Sequence, residues 1–239
     1  MIRNIKTIMR QDREPYRIPR RVQDVIPIQC VWPDGIFKVG IKFSKTYRFT
    51  DINYKVASRN DKETMFLAYS ELLNSLDCAA TTKLTICNRR QSQADFEQSV
   101  LMPMREDGLD KYRREYNQML MDKATGANGI TQEKYVTITV YKRDIEDARA
   151  YFTRIGADLT ARFAALGSKC VELDATDRLR ILHDFYRAGD EGNFHFDMAD
   201  MARKGHDFRD YICPDGIEKH SDYLKLGDRY CRVLFLKDY

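Results

Sequence analysis

From residue 25 onward the hydrophobic pattern switches repeatedly between a period of two and a period near 3.6. VIPIQCVW (25–32) and IFKVG (36–40) flank Pro33-Asp34-Gly35, and Asp-Gly supplies the positive φ of a tight turn, so the pair predicts a β-hairpin. KTYRFTDI (45–52), rich in β-branched and aromatic residues, predicts a third strand. Asn60-x-x-Glu63 has the form of a capping box. Met65, Phe66, Tyr69, Leu72, Leu73 and Leu76 follow at helical spacing, so this helix carries one apolar stripe that must pack on something. TTKLTICN (81–88) then reads as a strand. Thr82, Leu84 and Ile86 alternate with Lys83, Thr85 and Cys87, which suits a sheet covered on one side only.

A helical stretch from Leu109 to about Lys123 places Leu109, Tyr112, Tyr116, Met119 and Leu120 on one side, and ATGANG (124–129) ends it, with Gly126 and Gly129 open to left-handed conformations. YVTITVYK (135–142) alternates as a strand. Asp144 opens a long helix with the stripe Ile145, Ala148, Phe152, Ile155, Leu159, Phe163 and Leu166, and Gly167 closes it. KCVEL (169–173) is a strand, and Asp174 or Thr176 caps a helix bearing Leu179, Leu182 and Phe185, with Gly189 and Gly192 at its exit. Beyond residue 193 the signals mix until YLKLG (223–227) and RYCRVLFLKDY (229–239), which predict a hairpin.

This order predicts an α+β fold with a ferredoxin-like split βαβ core over about 45–173, an antiparallel sheet with its helices on one face. An N-terminal β-hairpin precedes the core, a helical insertion occupies about 93–130, and a helix and hairpin extension fills 174–239. Residues 25–239 are thus expected to form a single α+β domain behind an arm at 1–24. A final strand without a tail suggests a chain cut from something longer.

Composition adds a core and a charge asymmetry. The chain has 239 residues, 43% of them hydrophobic, which argues against disorder and fits one large or two small domains. No window approaches the roughly 18 uninterrupted apolar residues of a membrane span, and MIRNIKTIMRQDREP lacks the apolar run of a secretory signal, so a soluble chain not exported by that route is expected. The net charge of +4 is uneven. Residues 1–21 hold seven basic side chains (Arg3, Lys6, Arg10, Arg13, Arg17, Arg20, Arg21) against Asp12 and Glu14, leaving +5 on the arm and −1 on the body. The arm is either a solvated terminus or a contact for an anionic surface, nucleic acid or the inner leaflet of a membrane. Ile2, Ile5, Ile8 and Met9 recur near helical spacing among the basic residues, as in a short interfacial helix.

Candidate chemistry is sparse. Cys30, Cys78, Cys87, Cys170, Cys213 and Cys231 never stand at CxxC spacing and are expected to be reduced, mostly buried thiols. His183, His195, His206 and His220 are too scattered to suggest zinc. The nearest match to a phosphate loop, Gly35 to Lys42, has Ile41 between its second glycine and its lysine and lies in a hairpin with no helix following. His183-Asp184, His195-x-Asp197 and His206-Asp207 are adjacent in sequence, but helical neighbours project about 100 degrees apart. GxSxG is absent, so no catalytic, cofactor or metal residue is assigned. The ferredoxin-like sheet is also the frame of an RNA-recognition module. The RNP strand is missing, although Tyr47, Phe49, Tyr135 and Tyr141 with Arg48 and Lys142 offer an aromatic patch for a nucleic-acid-binding alternative.

Several segments carry a family resemblance: RIPRRVQDVIPI (17–28), KTYRFTDINYKVASRNDKE (45–63), ELLNSLD (71–77), RREYNQMLMDKATGANGI (113–130), GHDFRDYICPD (205–215) and DRYCRVLFLKDY (228–239). Together they resemble the N-terminal region of the energising ATPases of type IV secretion and conjugative DNA transfer, in the branch carried on integrative conjugative elements. In that family the region precedes a RecA-like motor that holds the Walker motifs. The resemblance therefore implies a non-catalytic assembly and docking domain, with ATP and Mg expected only for the motor absent from this chain. It further implies a cytoplasmic location peripheral to the inner face of the cell membrane. The implied partners are inner-membrane channel subunits and sister protomers, with anionic lipid or DNA as further contacts of the arm.

Overall fold

The computed structural model describes residues 19–52, 54–90, 100–126, 130–201, 203 and 205–236. It is an α+β fold. Strands β1 (Cys30–Val31) and β2 (Phe37–Val39) form the expected hairpin, shorter than the sequence suggested. Its turn is closed by Trp32 N–H donating to the Ile36 carbonyl at 3.0 Å, with Gly35 at φ 75. Gly40, at φ 59, turns the chain into β3 (Lys42–Phe49), which begins and ends three residues earlier than predicted.

Helix α1 (Arg59–Ser75) leads to β4 (Thr81–Arg90), helix α2 (Asp110–Gly126) lies in the insertion, and β5 (Ile130–Tyr141), α3 (Ile145–Ala165) and β6 (Cys170–Glu172) complete the core. β5 pairs with β3 from Lys42↔Tyr141 to Phe49↔Lys134 and with β4 from Thr81↔Thr139 to Arg90↔Ile130, while β6 joins β3 at Tyr47↔Glu172. The order β6-β3-β5-β4, antiparallel throughout, is that of the split βαβ unit, with β1 and β2 added beside the first half of β3.

The helices begin and end where local chemistry directs. Ser58, rather than the expected Asn60, caps α1 by accepting from Asp61 N–H at 3.2 Å, because Ser58 is the last extended residue. Asp144 caps α3, and Gly167 at φ 77 ends it: Ser168 N–H reaches the Phe163 carbonyl and Gly167 N–H the Ala164 carbonyl, a Schellman closure. α2 continues through Gly126 instead of stopping at Lys123.

Alternation along β3 divides the core in two. Phe43 and Tyr47 face α3, meeting Phe152, Ile155 and Leu159 together with Val136, Ile138 and Val140 of β5. Ser44, Thr46 and Arg48 face the other way. There the C-terminal extension adds a layer that the sequence did not reveal. Helix α4 (Ala175–Tyr186) packs Ala175 and Leu179 against Ile28, Val31 and Phe37, and the 3₁₀ turn Phe208–Tyr211 seals this second core with Phe208, Ile212 and Cys213. The two long helices lie on one face as expected, but the opposite face is covered in part as well.

Helix α5 (Met198–Met201) follows, and then β7 (Ile217–Lys219), β8 (Leu224–Leu226) and β9 (Arg229–Cys231) form a separate antiparallel sheet. It holds one strand more than the predicted hairpin, and its last strand stops at Cys231. Among the described residues, no helix is long and apolar enough to cross a membrane.

Candidate functional site

Three regions stand out: the basic arm, an apolar surface along α1, and the polar space beneath α4. Of the predicted anionic-surface contacts, Arg3, Lys6, Arg10, Arg13 and Arg17 lie outside the described residues. Arg20 and Arg21 are exposed at the entry to the 3₁₀ turn Val22–Val25, where Arg21 N–H donates to Asp24 Oδ2 at 3.2 Å.

The apolar stripe expected to bury α1 is mostly uncovered. Leu72 alone of its residues is buried, whereas Phe66 is 65% exposed and Leu67, Tyr69 and Leu73 are also open. Leu84 and Ile86 of β4, 55% and 53% exposed, pair with Val136 and Lys134 and so point to the same helix-bearing face. Tyr112, Tyr116 and Met119 of α2 are exposed as well. Lone surface apolars need no explanation, but a stripe on a helix beside an apolar edge strand makes a contiguous exposed apolar patch.

Beneath α4 the second sheet face is charged. Arg89 of β4 forms ion pairs with Asp184 of α4 and, at 2.7 Å, with Glu133 of β5. The Tyr135 hydroxyl donates to Glu133 at 2.6 Å and accepts from Arg89 at 3.2 Å. Burial works against the Arg89 charge, but Asp184 and Glu133 outweigh it and hold the guanidinium above its ordinary pKa. Burial, then the Glu133 bond, pushes the Tyr135 phenol up, so it stays a donor. His183 Nδ1 does reach its neighbour Asp184, at 3.4 Å, with its ring 5.1 Å from Phe194. It is a buried packing residue within this network.

Beside the network is a cavity of about 230 Å³. The sheet lines it with Ser44, Thr46, Lys83, Thr85 and Thr137 and with Phe37 and Val39, α4 with Arg178, Ile181 and Leu182, and Ile28 completes it. Arg178 donates to the Gly35 and Ser44 carbonyls, both at 2.7 Å, and to Ser44 Oγ at 3.1 Å, with its guanidinium 3.8 Å above the Phe37 ring centre. Burial lowers its pKa to about 9, which leaves it cationic at neutral pH. No sequence signal marked Arg178, because a basic residue in a first helical turn resembles any solvated one.

The other sequence candidates have structural roles. Gly35 and Gly40 are turn glycines of successive hairpins, Asp207 caps the turn at Phe208–Tyr211, and His195 Nδ1 lies 3.0 Å from the Asn193 carbonyl. The aromatic patch does not assemble. Tyr47 and Phe49 belong to the α3 core, Tyr135 lies buried on the opposite face, and only Tyr141 is exposed. Even spacing along β3 and β5 could not tell which parity faces the helices. Among the described residues no three His, Cys, Asp or Glu side chains gather to hold a metal ion. Of the cysteines, Cys170 and Cys213 are buried, Cys87 and Cys231 intermediate, and Cys30 and Cys78 exposed, fewer buried than expected. No protein-family model matches the chain, and no curated protein matches it.

Proposed function

We propose that this chain is a non-catalytic assembly and docking domain of a conjugative-transfer ATPase, holding a motor against inner-membrane channel subunits and sister protomers. The observation that carries this reading is the apolar surface of α1 and β4, where Phe66, Leu73, Leu84 and Ile86 are exposed and no element among the described residues covers them. The segment resemblances supply the class of machine, and the basic arm supplies a contact for the anionic lipid beside such a channel.

The test pairs two measurements. Recovery of the chain with membranes containing the transfer channel is expected to fall in Phe66→Asp and Leu73→Asp variants whose circular dichroism is unchanged, and the chain is expected to hydrolyse no ATP. Hydrolysis by the isolated chain, or unaltered membrane recovery in both variants, overturns the reading. Salt-sensitive DNA binding that vanishes on removal of residues 1–21 would instead favour the nucleic-acid alternative, which now depends on the arm alone.

A further inference from the structure

We propose that the cavity between α4 and the second face of the sheet binds a small oxyanion, a carboxylate or phosphomonoester, attached to a compact apolar body. The charge balance around the cavity points to an anion. Arg89 and Arg48 are matched by Asp184 and Glu133, with Arg48 3.7 Å from Glu133. Arg178 and Lys83 remain, and among the described residues neither forms an ion pair. Arg178 spends three of its five N–H donors on uncharged oxygens, the Gly35 and Ser44 carbonyls and Ser44 Oγ. A buried guanidinium whose acceptors are all neutral keeps its charge unmatched in the cavity lining, and Lys83, an exposed residue on that lining, adds a second cation.

The hydroxyls are placed consistently with that charge. Thr46 and Thr137 satisfy each other at 2.9 Å and form a closed stretch of wall, while Thr85 and Lys83 stand next along β4 on the same face. Across from them, on α4, Ile181 and Leu182 present hydrocarbon, and Val39 adds more beside β3 on the sheet. The ligand must therefore be two-sided. At about 230 Å³ the cavity is smaller than the roughly 300–1,000 Å³ of most ligand pockets, so it suits a single small ring or short chain and excludes a nucleoside triphosphate.

Titration of the full chain with benzoate, phenyl phosphate, inorganic phosphate and benzyl alcohol, followed on the methyl resonances of Ile28, Val39, Ile181 and Leu182, tests the proposal. Benzoate or phenyl phosphate is expected to bind saturably, the tighter of the two telling carboxylate from phosphate, with benzyl alcohol and inorganic phosphate weaker. Arg178 also clamps the fold, so the informative variants are Lys83→Gln and Thr85→Val. Lys83→Gln is expected to keep the wild-type melting temperature and weaken binding about 5-fold, the worth of one partly screened charge contact. The proposal is overturned if no probe shifts these methyls, if benzyl alcohol binds as tightly as benzoate, if inorganic phosphate matches phenyl phosphate, or if neither variant changes affinity.

Discussion

Gly35 faces the carbonyl oxygen of Leu173 so closely that a methyl group on Gly35 would overlap it. This contact joins the first hairpin to the start of α4. Ala175 N–H donates to the Pro33 carbonyl at 3.3 Å and Arg178 to that of Gly35, so the hairpin turn fixes the helix that roofs the second core. Gly35→Ala combines a left-handed φ with a collision against backbone that cannot swing aside, and is expected to lower unfolding stability by about 3 kcal/mol. Gly40→Ala, at a similar φ but with open space around the added carbon, should lose only about 1 kcal/mol. Urea melts of the two variants check the difference; equal midpoints would mean that the Leu173 contact is relaxed at no cost.

Lys45 and Glu172 meet at 2.5 Å on the α3 side of the sheet, and their exposure is unequal: the Lys45 side chain is 9% exposed and that of Glu172 43%. The pair has room because Gly156 of α3 lacks a side chain; a carbon there would strike Glu172 Oε1 and stand 3.3 Å from the Tyr47 ring. Removing the carboxylate strands a buried ammonium, whereas removing the ammonium leaves a carboxylate able to turn into water. Glu172→Gln should therefore cost about 3 kcal/mol and Lys45→Met about 1 kcal/mol or less, an asymmetry readable by denaturant titration.

Arg113 fastens the entry to α2. Its guanidinium holds Asp107 at 2.5 Å and Asp110 at 2.6 Å, while those carboxylates accept the backbone N–H groups of Arg105, Glu106 and Leu109. The Arg113 bond is the main reason that the Asp107 pKa falls to about 2. A lowered carboxylate pKa keeps its contribution above the unfolded value and loses it only as pH falls through the folded one, so the loop should remain intact at pH 4. Arg113→Gln should speed hydrogen exchange at Arg105, Glu106 and Leu109 and leave the global melting temperature unchanged, because the clamp serves only the insertion.

Much of this architecture was legible because periodicity and punctuation agreed. The stripe from Ala148 to Phe163 had one possible partner, a sheet face alternating through Val136, Ile138 and Val140, and Asp144 and Gly167 marked its ends. The place of α4 was not legible. Leu179 and Leu182 announce an amphipathic helix, but long-range contacts decide which side of the sheet receives it, among them the Gly35–Leu173 approach, the Arg178 bonds and the Arg89–Asp184 pair. The α1 stripe misled for the opposite reason. Phe66 and Leu73 follow the spacing of a buried face, but helical spacing is the same whether or not anything covers the face, and here both are exposed. The cavity was invisible because Lys83, Thr85 and Arg178 come together only through strand pairing and helix placement.

The two buried cysteines give an alkaline signature. Burial raises the thiols of Cys170 and Cys213 from 9.0 to about 11, helped by Glu172 beside the first and Asp210 beside the second. Between these values the folded chain holds protons that the unfolded chain releases, so stability falls as pH rises. The contribution is complete below pH 9 and is lost as pH approaches 11. Urea midpoints should decline across this window in the wild type and decline less in a Cys170→Ala, Cys213→Ala double variant. Alkylation gives an independent check: Cys30 and Cys78, both exposed, should react with iodoacetamide at pH 8 well before Cys170 and Cys213, which need both local opening and deprotonation. Equal labelling rates at all four would show that the second core, which holds Cys213, opens as readily as the surface.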